Sequence, residues 1–182
     1  MAKRAVLPAV IALLALPAAA APAYTASGEL IPPADYRSWV FLTSSLDMNY
    51  QEAQAPPKTH MLDNVFVDPA SWAEFKKTGR WPDRTMFVKE NRVAASEGSI
   101  NKAGQFQTET VDSMELHVRD DARFKGGWGF FGTDGKKPAA LIPYTAGCYS
   151  CHQDHGATQS TFTQFYPTAK PIAQKAGNYA EH

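Results

Sequence analysis

The sequence has little cysteine, no excess of either charge and no long hydrophobic run. Only two of its 182 residues are cysteines, which excludes a small scaffold held together by several disulfides. Lysine plus arginine and aspartate plus glutamate each number 18, so the chain lacks the basic surplus typical of proteins that bind nucleic acid or anionic membranes. The 13 prolines and 12 glycines disfavour a long helix or coiled coil. We therefore expect a globular protein that binds neither nucleic acid nor membrane.

The most apolar stretch lies at the N-terminus and has the three parts of an export signal. A basic pair near the start is followed by an apolar stretch over 5–16 and by small residues over 18–23. The apolar stretch is shorter than the ~20 residues of a membrane span. The sequence thus predicts a signal peptide over residues 1–23, one mature domain over 24–182 and a periplasmic location. A buried or membrane-anchoring helix is the alternative.

Short segments rich in aromatic and β-branched residues alternate with turn residues along the mature chain. These segments predict strands over 36–46, 64–67, 85–93, 105–118 and 128–131. One helix is predicted between Asp68 as N-cap, with Pro69 in its first turn, and Gly79 as the terminating glycine. We expect a mainly β fold of the α+β class, with an antiparallel sheet and a few short peripheral helices in a single domain.

Residues 148–152 read Cys-Tyr-Ser-Cys-His. The pattern C-x-x-C-H is the attachment signature of c-type haem. Cys148 and Cys151 are predicted to form thioethers to the porphyrin, and His152 to bind the iron as an axial ligand. The cofactor is therefore expected to be one covalently attached haem c per chain.

Three other interpretations of the same residues are weaker. A thioredoxin-like dithiol needs a βαβ context, which the preceding strand pattern does not provide. A zinc site needs four ligands, and His152 and His155 are the histidines near the two cysteines. A plain disulfide does not require the adjacent histidine.

The group on the other side of the iron decides the function. A methionine or histidine there makes an electron-transfer cytochrome, whereas an open position lets the iron bind or transform a small molecule. None of the possible ligands stands in a distinctive sequence context, so an open position is favoured. The candidates are Met48, Met61, Met86, Met114, His60 and His117.

Several segments spread over the mature chain resemble the cytochrome P-460 family, which includes the structurally related cytochromes c′-β. The resemblance covers most of the chain, from about Gly28 to Pro171. It rests on GELIPPADYRSWV (28–40), NVFVDPASWAEFKKTGRWPDRTMFVKE (64–90), MELHVRDDARF (114–124), CYSCH (148–152) and FTQFYPTAKP (162–171).

The resemblance implies a fold, a cofactor and a class of chemistry. It implies a mainly antiparallel β protein, a homodimer, one c-type haem with a five-coordinate iron, a periplasmic location and reactions of small nitrogen compounds. Members of the P-460 branch oxidise hydroxylamine and have an additional bond from a lysine to the porphyrin rim. Members of the c′-β branch lack that bond and bind nitric oxide or carbon monoxide in a pocket capped by phenylalanine.

Lys89 matches the position of the crosslinking lysine of the family. A lysine can attack a porphyrin carbon only when it is neutral and held against the ring, and burial favours the neutral form. Strand alternation places Phe87 and Lys89 on one face. The alternative is an exposed lysine on an edge strand, paired with a carboxylate.

Glu115 matches the position of the family's distal carboxylate, which is thought to take protons from the substrate. A base is chemically sensible there because oxidising hydroxylamine removes protons as well as electrons. Alternation groups Glu115 with His117, whereas Met114 and Leu116 lie on the side that has the character of a core. The haem therefore lies against the polar face, or Glu115 is solvated.

These observations favour a hydroxylamine-oxidising protein that passes electrons to an external acceptor protein. Lys89 and Glu115 would be its catalytic residues. A non-catalytic protein that binds nitric oxide or another gas is the second hypothesis, and simple electron transfer is the third. A phenylalanine over the iron would favour the gas binder, and the candidates are Phe41, Phe66, Phe87, Phe130 and Phe131.

Overall fold

Six antiparallel strands form a single sheet in which each strand lies beside its sequence neighbour. The computed structural model describes residues 21–48, 58–98 and 104–181. The strands are β1 (Val40–Leu46), β2 (Met61–Val67), β3 (Met86–Ala95), β4 (Phe106–Arg119), β5 (Trp128–Thr133) and β6 (Ala140–Leu141). The helices are α1 (Pro69–Thr78), α2 (Gly147–His155) and α3 (Lys170–Lys175). The predicted mainly β class is confirmed.

Helix α1 begins and ends where its sequence predicts. The Asp68 side chain accepts a hydrogen bond from the Ser71 backbone N–H at 2.8 Å, and Gly79 ends the helix with a φ of 65°. The other carboxylate oxygen of Asp68 accepts from the Met86 backbone N–H at 3.0 Å. A single buried carboxylate therefore caps the helix and fixes it to the start of β3.

The two faces of the sheet are both covered, each by a different core. On one face, which we call the cavity face, Val67, Phe87 and Phe130 pack with side chains from α1 and α3. On the opposite face, which we call the arm face, Leu116 and Phe131 pack with other apolar residues of the sheet and of the N-terminal arm. The sequence analysis placed Leu116 on the core side of its strand. That side is indeed buried, but it is one of two buried faces.

The N-terminal arm closes the second core. Leu30 is fully buried in that core. Its backbone N–H donates to the Ala139 carbonyl at 3.0 Å, and the Ala139 N–H donates back to the Leu30 carbonyl at 2.7 Å. This two-bond bridge fixes the arm beside the far edge of the sheet.

A β-bulge in β1 changes which of its side chains face the cavity. Phe41 pairs with Phe66 and Thr43 pairs with Val65, so Leu42 is the extra residue on its strand. Thr43 therefore faces the cavity, whereas the Phe41 ring lies edge to face against Phe66 on the arm face. Simple alternation along 36–46 would have placed both residues on the same face.

The remaining differences from the sequence predictions lie at element ends and in the C-terminal part. The first strand begins at Val40, because Tyr36–Ser38 form a short 3-10 turn. Strand β6 and helices α2 and α3 were not placed individually by the sequence. The predicted signal peptide lies almost entirely outside the described residues. Of the helices that are described, none has both the length and the apolar character of a membrane span.

Candidate functional site

A deep cavity separates the cavity face of the sheet from α2 and the C-terminal loop. Its volume is about 220 Å³, and its mouth is open to solvent. Its surface is mostly apolar. The side chains that line it are Thr43, Ser45, Met48, Asp63, Val65, Phe87, Lys89, Glu115, His117, Cys148, Cys151, His152, Phe162, Phe165 and Tyr166.

Helix α2 brings the two cysteines and the histidine of the C-x-x-C-H motif to the cavity. Cys148, Cys151 and His152 are three and four residues apart, so they lie on one face of the helix, and all three line the cavity. Both thiols are free. The Tyr149 hydroxyl accepts from the Phe130 N–H and donates to the Ile142 carbonyl, both at 3.1 Å, which fixes α2 to the sheet.

The environment of His152 determines which ring nitrogen is available. His152 Nδ1 lies 2.9 Å from the Ser160 carbonyl oxygen. A carbonyl only accepts hydrogen bonds, so Nδ1 carries the proton and Nε2 keeps its lone pair. Burial lowers the pKa of His152 and keeps the imidazole neutral. This is the state that a metal-binding histidine requires.

The loop that supplies the Ser160 carbonyl has an unusual backbone. Gln159 and Ser160 have φ values of 49° and 57°, in the left-handed region that non-glycine residues rarely occupy. Gln159 holds the loop in place, because its side chain accepts from the Trp81 N–H at 2.6 Å and its carbonyl accepts from Trp128 Nε1 at 2.9 Å. Two tryptophans thus stabilise the conformation that orients His152.

The His117 ring on β4 lies against the His152 ring on α2. The two ring centres are 4.8 Å apart and nearly perpendicular. Two metal–nitrogen bonds on opposite sides of one iron already need about 4 Å between the nitrogens, before the ring radii are added. The rings are therefore too close for both histidines to bind one iron from opposite faces. Burial holds the pKa of His117 well below its ordinary value, and His152 and Lys89 lower it further.

The other candidate distal ligands are mostly far from the cavity. Met86 and Met114 belong to the core on the arm face. His60 pairs with Asp47 after β1. Met48 lines the cavity at its rim and is exposed. Among the six candidates, Met48 and His117 are thus the two that the described structure places at the cavity.

A cluster of three charged side chains occupies the sheet wall of the cavity. Lys89 Nζ lies 3.3 Å from Glu115 Oε1 and 3.8 Å from Asp63 Oδ1. Strand β3 lies between β2 and β4, so the alternative of a lysine on an edge strand is wrong, although the pairing with a carboxylate that it included is present. Asp63 was missed by the sequence analysis. Its alternation with Val65 and Val67 along β2 could have placed it on this face.

Aromatic rings enter the cavity mainly from the C-terminal loop. Of the five phenylalanines considered from the sequence, Phe87 lines the cavity. Phe130 lies against the His152 ring at 4.6 Å, whereas Phe131 is in the arm-face core. The ring centres of Phe162 and His152 are 4.2 Å apart. Phe162 and Phe165 line the cavity and were not predicted.

The residues present fit a c-type haem. Two free thiols and a neutral imidazole with an available Nε2 lie on one helix beside an open, mostly apolar cavity. These are the groups that attach a porphyrin and bind its iron. The zinc alternative has no comparable support, because the described residues include no group of three or more His, Cys, Asp or Glu side chains arranged to hold a metal.

Comparison with known proteins finds one family whose model matches most of the chain. The model of the family Cytochrome P460 matches residues 33–163, which is well over half of the chain. A search of curated proteins found no match.

Proposed function

This chain belongs to the cytochrome P460 family and is a c-type haem protein of the P460 kind, and from that premise we propose that it oxidises hydroxylamine. The observation that supports this proposal best is the shared cavity. Lys89 and Glu115 lie 3.3 Å apart on the wall opposite the helix that contains Cys148, Cys151 and His152. A nucleophilic amine, a proton acceptor and the haem-binding residues therefore meet in one place.

Helix α2 would attach the cofactor. Cys148 and Cys151 would form the two thioethers, and His152 Nε2 would bind the iron, with its ring orientation fixed by the Ser160 carbonyl. One haem per chain is expected, because the sequence has one such motif. The bound haem supplies an iron that can accept electrons from a small nitrogen compound.

Lys89 would form the additional bond to the porphyrin rim that marks the P-460 branch. A new C–N bond replaces one N–H and one C–H bond, so two electrons and two protons must leave to an oxidant such as a peroxide. The ammonium must first lose a proton, since only the neutral amine is a nucleophile. The position of Lys89 on a central strand holds its amine at the cavity wall.

Glu115 would accept protons from hydroxylamine. Its carboxylate lines the cavity and its side chain is 42% exposed, so a proton taken from the substrate could pass on to solvent. Proton transfer by a positioned carboxylate typically contributes ~10²- to 10⁴-fold to a rate. Electrons would leave to an external acceptor protein. We also expect export to the periplasm after removal of residues 1–23, and a homodimer.

One observation favours a second candidate, a non-catalytic protein that binds nitric oxide or a similar gas. Lys89 forms ion pairs with two carboxylates, and an ammonium in an ion pair cannot attack the porphyrin. Phe87, Phe162 and Phe165 give the cavity a large apolar surface, which suits a diatomic ligand. Simple electron transfer is disfavoured, because the His117 ring is too close to His152 to bind the same iron from the opposite face and Met48 is exposed at the rim.

The test is to express the protein in a bacterium with haem-maturation machinery and to measure three properties. The enzyme is supported by a red-shifted ferrous absorption band, by the mass of an additional lysine–haem bond and by hydroxylamine turnover. Lys89→Ala should remove the band and the bond, and Glu115→Gln should lower turnover ~10²- to 10⁴-fold while leaving haem attachment intact. Lys77→Ala and Glu109→Gln, both at exposed positions, are the matched controls.

Two other results would reject the enzyme. An ordinary high-spin spectrum, no lysine–haem bond and ready binding of nitric oxide would identify the gas binder. A low-spin spectrum that does not respond to added ligand would identify an electron-transfer protein.

A further inference from the structure

Asp63 is a second carboxylate in the charged cluster of the cavity, and it is the most buried member. The side chains of Glu115, Lys89 and Asp63 are 42%, 30% and 9% exposed, respectively. Asp63 also lies next to Ser45, whose hydroxyl donates to it at 3.3 Å. It is thus a carboxylate that has lost most of its water and depends on neighbouring groups for stabilisation.

The charged groups around Asp63 come from three other parts of the sheet. Lys89 on β3 is the cation that faces it in the described part of the chain, at 3.8 Å. Glu115 on β4 and Asp47 after β1 are both negative, and Asp47 is paired with His60. Burial, Glu115 and Asp47 raise the pKa of Asp63, whereas Lys89 and the Ser45 hydrogen bond lower it. One cation and one hydrogen bond therefore counteract three influences that raise the pKa of Asp63.

The charge balance of the cluster depends on the state of Lys89. With an ammonium at Lys89, two ionised carboxylates leave the cluster with one net negative charge. Without it, the same two carboxylates would face each other in a mostly apolar cavity. Like charges that share a site cannot both stay ionised at low cost, and the more buried group takes up a proton first.

We propose that Asp63 is a second proton-carrying residue of this site, and that the charge on Lys89 determines whether Asp63 holds a proton. The coupling itself follows from the cluster alone. Its part in turnover rests on the proposed function, because a lysine bonded to the porphyrin rim is a weakly basic amine without a charge. Formation of that bond would then leave Asp63 protonated and able to exchange a proton beside Glu115.

The test compares two variants of the full haem-loaded protein that cannot form the lysine–haem bond. Lys89→Arg keeps a permanent charge, and Lys89→Met removes it at a similar side-chain length. Infrared spectroscopy follows the carbonyl stretch of protonated carboxyl groups against pH, and Asp63→Asn identifies the contribution of Asp63. Asp112→Asn, an exposed position on β4, is the control for that assignment. Lys89→Gln replaces Lys89→Met if the latter does not load haem.

We expect the titration midpoint of Asp63 to be about 1 to 3 pH units higher in Lys89→Met than in Lys89→Arg. Coinciding midpoints would overturn the inference, as would a titrating signal that persists unchanged in Asp63→Asn. The wild-type protein then separates the two proposals. It should titrate like Lys89→Met if the lysine–haem bond is present, and like Lys89→Arg if it is absent. Absence of the bond would reject the proposed enzyme and leave the coupling intact.

Discussion

The orientation of His152 is set by backbone groups of neighbouring residues. The partner of its Nδ1 is a backbone carbonyl, and the loop that supplies this carbonyl holds two non-glycine residues at positive φ. Such a conformation costs of order 1 to 3 kcal/mol per residue and persists only where the surroundings enforce it. Gln159 is the residue that enforces it here, through Trp81 and Trp128.

Replacing Gln159 with alanine is therefore expected to change the midpoint potential of the iron, although Gln159 is not an iron ligand. Gln159→Ala removes the acceptor for the Trp81 N–H, loosens the loop and weakens the hydrogen bond from His152 to Ser160. That hydrogen bond makes His152 a stronger donor to the metal, so its loss should raise the midpoint potential. A tenfold change in relative affinity for the two iron states corresponds to about 59 mV. Potentiometric titration of the haem-loaded protein measures the shift.

The control for this prediction is Gln153→Ala, which changes an exposed glutamine on α2 itself. An unchanged potential in Gln159→Ala, together with normal folding, would show that the bond between the Gln159 side chain and the Trp81 N–H is not needed to hold the Ser160 carbonyl against His152.

At the scale of helices and strands, the sequence predicts those elements whose ends are set by residues close together in the chain. Asp68, Pro69 and Gly79 carry the signals of a capped helix, and α1 lies between them. Runs of aromatic and β-branched residues between turn residues predicted the four longest strands to within a few residues. Helix α2 has no side-chain cap, and the bulge at Leu42 depends on how β1 meets β2, so neither has a sequence signal of its own.

The same limit applies to the site. The spacing of Cys148, Cys151 and His152 predicts haem attachment from the sequence alone. The three residues are close together in the chain, so no long-range contact is needed to bring them together. Lys89 and Glu115 were identified by resemblance. Asp63 joins them only through the pairing of β2 with β3 and of β3 with β4, and such long-range contacts leave no trace in one sequence.

Asp68 both caps α1 and accepts a hydrogen bond from the Met86 N–H. Its replacement is therefore expected to lower the free energy of unfolding by more than the loss of an ordinary helix cap. Asp68→Ala removes the acceptors for the Ser71 and Met86 N–H groups, both of which are bonded to this buried carboxylate. A lost cap costs roughly 0.5 to 2 kcal/mol, and a buried donor left without a partner costs roughly another 1 to 3 kcal/mol. Denaturant unfolding should therefore show a loss of about 1.5 to 5 kcal/mol.

Asp68→Asn separates the two contributions. Its amide retains one acceptor oxygen for the helix N-terminus, but its NH₂ group faces the Met86 N–H. Its free energy of unfolding should fall between those of the wild type and Asp68→Ala, and equality with the wild type would show that the bond to Met86 contributes little.

At the scale of the whole molecule, one sheet separates two cores with different tasks. The cavity-face core includes Phe87, which also lines the cavity, whereas Leu116 is fully buried in the arm-face core. The arm-face core is made of apolar side chains packed against one another. We expect it to support the fold and to have little influence on the cofactor.

Two truncations test this division of the molecule. Leu116→Ala should lower the free energy of unfolding by roughly 2 to 5 kcal/mol and Phe87→Ala by roughly 3 to 5 kcal/mol, as is typical of cavities made in a core. Only Phe87→Ala should also change the absorption spectrum and the affinity for a small ligand. Equal spectral changes in the two variants would show that the cores are not independent.

A change in the position of the bulge in β1 would alter the cavity wall without any amino-acid substitution. Phe41 points away from the cofactor side because the extra residue of β1 lies between Phe41 and Thr43. If the extra residue lay before Phe41 instead, the side chains of Phe41 and Leu42 would change to the opposite faces of the sheet. The Phe41 ring would then join the cavity wall. A move of the bulge by two residues would therefore turn a hydroxyl-lined wall into one that carries a phenyl ring, with the amino-acid sequence unchanged.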